Sequence, residues 1–373
     1  MSRKLLPVSI TAALMGGPAM ADVPKVAVDI APVHSLVTRV MDGVGTPDLI
    51  VSTGASPHEY NLRPSEAAAL QEADLVFWLG EDLTPWMEGA VETLADDATV
   101  TTLLESDGTV LLDFREGALF EAHDHGDNEH GHDDDHDAHD DEEALKDHDH
   151  EDHTDHKEHD HGDEHPEDKE HAHDDDHAKH AEGEDHAGHD DHEDHADHDD
   201  HGHGAHDPHA WLSPENANTW LNLIAAQLSA ADPDNAGAYF ANAAAAREEM
   251  DALSAEVVAT LEPVRGGSFI VFHDAYQYFE DAFDFPASGA ISIGDASDPS
   301  PARIAEIQAR IKDEGIECVL AEPQFNSGIV EAVLDGTAAN TGVIDPLGSD
   351  LDPGTDLYPQ VIRNMAKTLA ECL

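Results

Sequence analysis

The chain has 373 residues, and 82 Asp and Glu against 17 Lys and Arg give it a formal net charge of −65 at pH 7. This balance excludes a nucleic-acid binder that works through phosphate contacts, because such proteins need a basic face. Residues 121–208 hold 38 of the acidic residues, 4 Lys and 25 of the 29 His, with one Leu and no aromatic residue. That stretch cannot bury a core, and the remaining residues are enough for two ordinary domains.

The N-terminus has the pattern of an export signal. A short basic region precedes the mostly apolar run Leu5–Met15, and Ala19-Met20-Ala21 is typical of a cleavage site. We expect residues 1–21 to be a signal peptide and the mature chain to begin near Asp22. The alternative, a transmembrane anchor, fits less well because the apolar run is shorter than about 20 residues.

The predicted export signal bears on the redox state of the two cysteines. An exported protein enters an oxidising compartment, in which Cys318 and Cys372 can form a disulfide. Such a bond closes a loop of about fifty residues and contributes roughly 4 kcal/mol on the chain-entropy model. Two buried free thiols are the alternative.

Short apolar runs alternate with helical patterns outside residues 121–208, which is typical of βα units around a parallel sheet. The predicted strands are Lys25–Ile30, Asp48–Val51, Asp74–Leu79, Ser268–His273, Ala290–Ile293, Glu317–Ala321 and Gly342–Asp345. Two helix starts are indicated by Ser213-Pro214-Glu215 and Ser300-Pro301, where a capping hydroxyl precedes Pro at the first helical position. Gly315 marks the end of the second of these helices.

One long helix is predicted between the two blocks of strands, because Pro233–Val264 is rich in Ala, Glu and Leu and carries no strand signal. The sequence therefore predicts an α/β fold of two lobes, each a mostly parallel sheet flanked by helices, joined by one long rigid helix. A rigid connector predicts limited closure between the lobes. The predicted parts are residues 22–120 with 207–232 as the N-terminal lobe, 121–206 as a disordered His/Asp/Glu-rich metal-binding loop (the His-rich segment), 233–264 as the linking helix and 265–373 as the C-terminal lobe.

Three of the four His outside the His-rich segment lie where strands end or helices begin. His58 comes just past a predicted strand, His209 precedes the helix capped by Ser213, and His273 ends the strand Ser268–His273. Ligands collect at such ends in open α/β sheets. A single His there is more often structural, but the three together predict an imidazole site between the lobes, with an open position that suits Zn²⁺.

The fourth His, His34, stands at the start of the first predicted helix. We interpret it as a helix cap or as a partner of a metal ligand, and not as a ligand itself.

The stretches around these residues resemble the metal receptors of bacterial ABC importers, and specifically their zinc-binding, ZnuA-like branch. The matching stretches are Gly54-Ala55-Ser56-x-His58-x-Tyr60-x-Leu62-Arg63-Pro64-Ser65, Ala73-Asp74-Leu75-Val76, His209-x-Trp211-Leu212-Ser213-Pro214, Phe272-His273-Asp274-Ala275-Tyr276, Ala321-Glu322-Pro323-Gln324-Phe325 and Asp345-Pro346-Leu347-Gly348. They occur in the family's order over essentially the whole mature chain, with a His- and acid-rich insertion where zinc members carry one. The resemblance also implies the Cys318–Cys372 disulfide.

The resemblance implies that His58 and His209 from the first lobe and His273 from the second hold the metal in the cleft. An imidazole at His273 indicates Zn²⁺, because relatives thought to carry manganese have a carboxylate there. Asp345 matches the fourth ligand of the manganese branch, whereas some zinc members carry a Glu directly before the first His and this chain has Glu59 after it. The fourth ligand is therefore open among water, Asp345, Glu59 and a His of the His-rich segment.

The His-rich segment repeats imidazoles and carboxylates without a fixed scaffold, so we expect many weak, exchanging metal sites. Candidate auxiliary ligands stand at both of its ends: His123, His125, His130, His132, His136, His201, His203 and His206. We expect the segment to capture zinc for the cleft or to sense its abundance. The alternative is a solvated acidic tract that keeps the protein soluble and attracts cations by charge alone.

Three functions compete for such a chain. The predicted one is an exported, monomeric, high-affinity zinc receptor that delivers Zn²⁺ to an ABC permease in the inner membrane and performs no chemistry on it. A zinc buffer or storage protein, with the His-rich segment as its working part, is the alternative. A three-His zinc metalloenzyme is less favoured, because the sequence lacks His-Glu-x-x-His and Gly-x-Ser-x-Gly.

Overall fold

The computed structural model describes residues 23–115, 120, 206–292 and 299–373, which form one compact unit. The predicted signal peptide lies outside the described residues, as does every auxiliary His named above except His206. Within the described ranges, no helix is long and apolar enough to cross a membrane.

The first lobe is built on a four-stranded parallel sheet. Its strands are β1 (Val26–Val28), β2 (Asp48–Leu49), β3 (Leu75–Trp78) and β4 (Thr99–Thr102), in the order β2-β1-β3-β4. The inner strands are buried on both faces, and successive residues of β1 pack into two different apolar clusters. The helices of this lobe are α1 (Ala31–Val40), α2 (Pro64–Glu72), α3 (Pro85–Leu94) and α4 (Pro214–Ala231).

The second lobe repeats this topology. Its strands are β5 (Phe269–His273), β6 (Gly289–Ser292), β7 (Cys318–Ala321) and β8 (Asn340–Val343), all parallel in the order β6-β5-β7-β8. Its helices are α6 (Gln277–Phe283), α7 (Pro301–Glu314), α8 (Ser327–Leu334) and α9 (Leu357–Cys372). The two sheets confirm the predicted two-lobed α/β fold.

All seven predicted strands have a counterpart in the structure, and β4 is the strand that the sequence analysis missed. Thr99 and Val100 are exposed because β4 lies at the edge of its sheet, so it lacks the continuous apolar run of the inner strands. The helix signals are confirmed, because the hydroxyls of Ser213 and Ser300 accept hydrogen bonds from backbone amides of the first turns of α4 and α7. Gly315 caps α7 in the left-handed conformation, with φ of 71°.

The long helix α5 (Ala236–Leu261) joins the lobes and is flanked by short 3₁₀ turns at Pro233–Asn235 and Glu262–Val264. It packs against α1 and α4 of the first lobe and α9 of the second. Its buried residues recur every three or four positions and form one stripe: Tyr239, Ala243, Ala246, Met250, Leu253, Val257 and Leu261. This stripe belongs to a core cluster that contains buried side chains of both lobes, so the lobes share one continuous apolar interior.

A disulfide ties the last helix to the second sheet. Cys318 begins β7 and Cys372 ends α9, their Cα atoms lie 5.7 Å apart, and the bond spans 54 residues of sequence. The predicted pairing is therefore present, and the alternative of two free thiols is excluded.

Candidate metal centre

The structure brings together the three His that the sequence analysis singled out. Their potential ligand atoms all lie within 4.8 Å of one another, and within the described ranges His58, His209 and His273 form the group of side chains able to hold a metal ion. The ring centroids of His58 and His273 lie 5.4 and 5.3 Å from that of His209. His58 and His209 come from the first lobe and His273 from the second.

His273 is oriented by a buried carboxylate. It is the last residue of β5, and Glu322 directly follows the neighbouring strand β7, so both lie at the carboxyl edge of the sheet. Nδ1 of His273 lies 2.7 Å from Oε1 of Glu322, which also accepts the backbone N–H of His273 at 3.3 Å. Since a carboxylate only accepts hydrogen bonds, the ring proton sits on Nδ1, which makes Nε2 the nitrogen that can coordinate a metal.

His209 is held in the same way by Asp207, two residues earlier in the chain. Its Nδ1 lies 2.6 Å from Oδ1 of Asp207, and the same oxygen accepts the backbone N–H of His209 at 2.9 Å. Nε2 of His209 is buried and finds no hydrogen-bond partner among the described residues. A buried acceptor in this state is costly unless a ligand satisfies it, and a cation bound to Nε2 does so.

His58 stands in an irregular stretch of the first lobe between β2 and α2. This stretch is anchored by Trp86, whose indole N–H donates to the carbonyl of Pro57 at 2.7 Å, and by Tyr60, whose hydroxyl donates to Glu66 at 2.7 Å. Burial lowers the pKa of His58 well below its ordinary value, and the nearby imidazoles lower it further. The ring is therefore a neutral donor at pH 7.

The three imidazoles open onto a small cavity between the lobes. Its other lining residues are Ser56, Pro57, Trp211, Glu322, Gln324, Phe325, Pro346 and Leu347. The walls are largely apolar, so the polar atoms of the site are concentrated on the imidazoles and the groups beside them. Three nitrogen donors with a fourth direction left open match the tetrahedral preference of Zn²⁺.

Glu59 and Asp345, the two carboxylates considered as a fourth ligand, do not belong to the group formed by His58, His209 and His273. Glu59 is exposed. Asp345 accepts hydrogen bonds from Gln324 Nε2 at 3.1 Å and from the amides of the turn that follows it. Its oxygens are therefore engaged within the second lobe.

Two further His lie within the described residues, and both have structural contacts. His34 lies inside α1, with Nε2 3.1 Å from the carbonyl oxygen of Pro47 and Nδ1 3.4 Å from the hydroxyl of Thr38. The helix cap is Ile30, and the ring of His34 contacts Pro47 and Thr38, so the expectation that His34 is a cap or a partner of a metal ligand was wrong. As expected, His34 does not belong to the group of three His. His206 pairs with Asp113 at 2.9 Å, and the two residues also form an isolated antiparallel bridge.

The sequence analysis missed Asp207 and Glu322. Each could have been found by a positional signal, because Asp207 lies two residues before His209 and Glu322 follows a predicted strand next to the one that His273 ends. Both side chains are almost fully buried, with 2% and 1% of their surface exposed. Buried carboxylates bonded to imidazoles are the usual outer partners of metal-binding His.

Comparisons with known proteins agree with this geometry. The family described as "Zinc-uptake complex component A periplasmic" matches residues 26–372. The High-affinity zinc uptake system protein ZnuA of Brucella abortus (strain 2308) is 42% identical over 348 residues, covering 93% of this chain and 91% of the relative. The protein of the same name from Paracoccus denitrificans (strain Pd 1222) is 40% identical over 364 residues, covering 97% and 95%.

Among solved structures, "Crystal structure of 138-173 ZnuA deletion mutant plus zinc bound" superposes with a TM-score of 0.63 at 19% identity, covering 94% of this chain and 98% of the other. At that identity the likeness shows the shared fold. The family match and the relatives at 40–42% identity extend over nearly the whole chain. The chain therefore belongs to the ZnuA family of periplasmic zinc-uptake components.

Proposed function

We propose that this protein is an exported high-affinity zinc receptor that captures Zn²⁺ and delivers it to an ABC-type permease in the inner membrane. The observation that carries the proposal is the convergence of three imidazoles on one buried cavity, with Nε2 of His209 buried and unsatisfied by the protein itself. The relatives at 40–42% identity are named as high-affinity zinc uptake proteins, which supports the same cargo here.

The ligands in this proposal are His58, His209 and His273, which bind the ion as neutral imidazoles. Asp207 and Glu322 fix the tautomers of two of them and place negative charge behind the site, which offsets the charge of a divalent cation. Water is the proposed fourth ligand, since Asp345 and Glu59 stand outside the group. The protein binds and releases the ion without chemical change, in keeping with a family of transport components and not of enzymes.

The lobes in this proposal adjust only slightly when zinc binds. They share one apolar core with α5, and direct hydrogen bonds cross between them close to the site. Trp211 beside His209 donates its indole N–H to the carbonyl of Pro346 at 2.9 Å, and the hydroxyl of Tyr278 donates to the carbonyl of Asp207 at 2.8 Å. Wide opening would break these bonds, so release is expected to involve small movements.

Three further parts of the proposal rest on the sequence. Residues 1–21 act as a cleaved signal that sends the chain to the periplasm, where it works as a monomer. The His-rich segment assists capture or senses zinc. A solved ZnuA structure that shares this fold is a 138–173 deletion mutant with zinc bound.

A competitive zinc titration against a chelator tests the proposal. The mature chain is compared with a variant lacking residues 124–200, which retains the Asp113–His206 contact. One tight site is expected in both proteins, with the weak sites confined to the full chain. Replacing His58, His209 or His273 by Ala should weaken the tight site by more than about 100-fold, beyond the usual effect of losing an outer partner.

His34→Ala is the matched control, because His34 is also buried but contacts Pro47 and Thr38 instead of the cluster. It should leave zinc affinity unchanged. Loss of all tight binding on deletion of residues 124–200 would favour a zinc buffer in which the His-rich segment is the working part.

A further inference from the structure

Most of the described residues that line the metal cavity are buried, and the exceptions mark its entrance. Ser56 and His58 of the first lobe and Gln324 and Phe325 of the second are partly exposed, whereas the other lining residues are buried. These two stretches of chain border the way from solvent to the imidazoles. Among the described residues at this entrance, Phe325 is the one with a large apolar side chain.

The ring of Phe325 lies over the end of strand β5. It stacks on the ring of Phe272, with the centroids 4.5 Å apart and an angle of 10° between the planes. It also meets the imidazole of His273 edge-on, with the centroids 5.2 Å apart and an angle of 65°. Phe272 belongs to a buried apolar cluster of the second lobe. Phe325 therefore connects a proposed metal ligand to this cluster.

The other aromatic side chain of the cavity, Trp211, is fixed by a polar contact. It is buried, and its indole N–H donates to the carbonyl of Pro346 at 2.9 Å. The side chain of Phe325 has no polar group, and it belongs to the short connection between β7 and α8. Apolar contacts alone therefore hold its ring in place. One pair of aromatic rings changes such an equilibrium by about 2- to 10-fold.

We propose that Phe325 is a movable cover of the metal cleft, and that its displacement limits the rate at which Zn²⁺ enters and leaves. This inference rests on the proposed function, because it takes the three imidazoles as the zinc site. With the ring on His273, an ion has to pass a side chain that offers no ligand atom. Rotation of the ring into solvent breaks the stack on Phe272 but leaves the imidazoles where they are.

A cover of this kind acts on rates and not on affinity. The ion takes the same path in both directions, so a cover that must move for entry must also move for exit. Removing it should raise the association and dissociation rate constants by the same factor, and their ratio, the Kd, should stay constant. An apolar ring at the entrance also keeps solvent away from a bound ion, which slows its capture by other ligands.

Stopped-flow kinetics of Zn²⁺ binding to the full mature chain test the proposal. The ring of Trp211 lies 5.2 Å from that of His209, so tryptophan fluorescence can report occupancy of the cleft. Dissociation is measured by trapping released Zn²⁺ with excess chelator. In Phe325→Ala both rate constants should rise by about tenfold, because both ring contacts are lost. The Kd should remain within about threefold of the wild-type value.

Two further variants separate the cover from a general disturbance of the site. Phe272→Leu leaves Phe325 in place but removes the ring on which it stacks, and Phe272 is not among the lining residues of the cavity. It should raise both rate constants by about 2- to 10-fold. Phe325→Tyr keeps the ring and is the conservative control, with rate constants expected to match the wild type.

Three results would overturn the proposal. The first is a wild-type association rate constant at the diffusional ceiling of about 10⁸–10⁹ M⁻¹ s⁻¹, which leaves no barrier for a cover to impose. The second is unchanged kinetics in Phe325→Ala. The third is a rise of the dissociation rate constant alone, which would make Phe325 a support of His273. A wild-type chain without a tight zinc site in the cleft would instead contradict the proposed function.

Discussion

Arg115 is expected to be a main electrostatic tie between the lobes. It lies after β4 in the first lobe, and its guanidinium contacts Asp274, next to His273, and Glu280 on α6. Nε donates to Asp274 Oδ2 at 3.1 Å and one terminal nitrogen donates to Glu280 Oε2 at 2.7 Å. The side chains of Arg115, Asp274 and Glu280 are 19%, 8% and 6% exposed. Both carboxylates are therefore buried, and the guanidinium of Arg115 compensates their negative charge.

Replacing Arg115 by Met removes the charge and retains most of the apolar stem. Removing one partner of a buried ion pair costs about 3–5 kcal/mol, because the remaining charge is left uncompensated. Because Arg115 is partly exposed, we expect the loss of unfolding free energy to lie near the lower end of this range, at about 3 kcal/mol. Urea unfolding of the metal-free protein at pH 7.5 measures this loss from the shift of the midpoint at constant slope.

The triple variant Arg115→Met/Asp274→Asn/Glu280→Gln is the matched control, since it removes the charges together. It should recover most of the lost stability. Burial already raises the pKa of Asp274 in the wild type, so without Arg115 this carboxyl group should protonate more readily and the deficit of Arg115→Met should shrink towards pH 5. A loss below about 1 kcal/mol, or a triple variant as unstable as the single one, would refute this reasoning.

Three further outcomes are expected. Glu322→Gln should weaken zinc binding by about 10- to 100-fold in a chelator competition, because the amide oxygen can still accept from the His273 ring but the negative charge behind that ligand is lost; unchanged affinity would argue against that role. Burial lowers the pKa of His58, so protons displace a metal from this imidazole at a lower pH than from an imidazole of ordinary pKa near 6.5. Equilibrium dialysis at stepwise lowered pH should therefore find the His-rich segment emptied before the tight site; simultaneous release from both would contradict this. Replacing Cys318 and Cys372 together by Ala should lower the unfolding free energy by about 4 kcal/mol for the 54-residue span, and a urea midpoint equal to that of the wild type would contradict it.

The fold could be predicted from the sequence because its inner strands are buried on both faces. Strands such as β1, β3 and β5 appear in sequence as short continuous apolar runs between helical patterns. The edge strand β4 escaped prediction because its exposed Thr and Val side chains do not form such a run.

The clustering of the three His could be predicted from the sequence. His58, His209 and His273 stand at the ends of elements, and the parallel topology brings such ends together. The role of Asp345 could not be predicted, because whether a carboxylate faces a metal or its own turn depends on hydrogen-bond geometry. The role of Arg115 could not be predicted either, since its partners lie 159 and 165 residues away in sequence.

The most direct test of the account is a crystal structure of the zinc-loaded mature protein with anomalous data at the zinc edge. The account predicts one strong peak in the cleft, about 2.0–2.1 Å from a nitrogen of each of His58, His209 and His273. It also predicts that Asp345 keeps its contacts with the turn. A zinc peak elsewhere with the cleft empty, or a cleft ion bound by fewer than three of these imidazoles, would contradict the central claim.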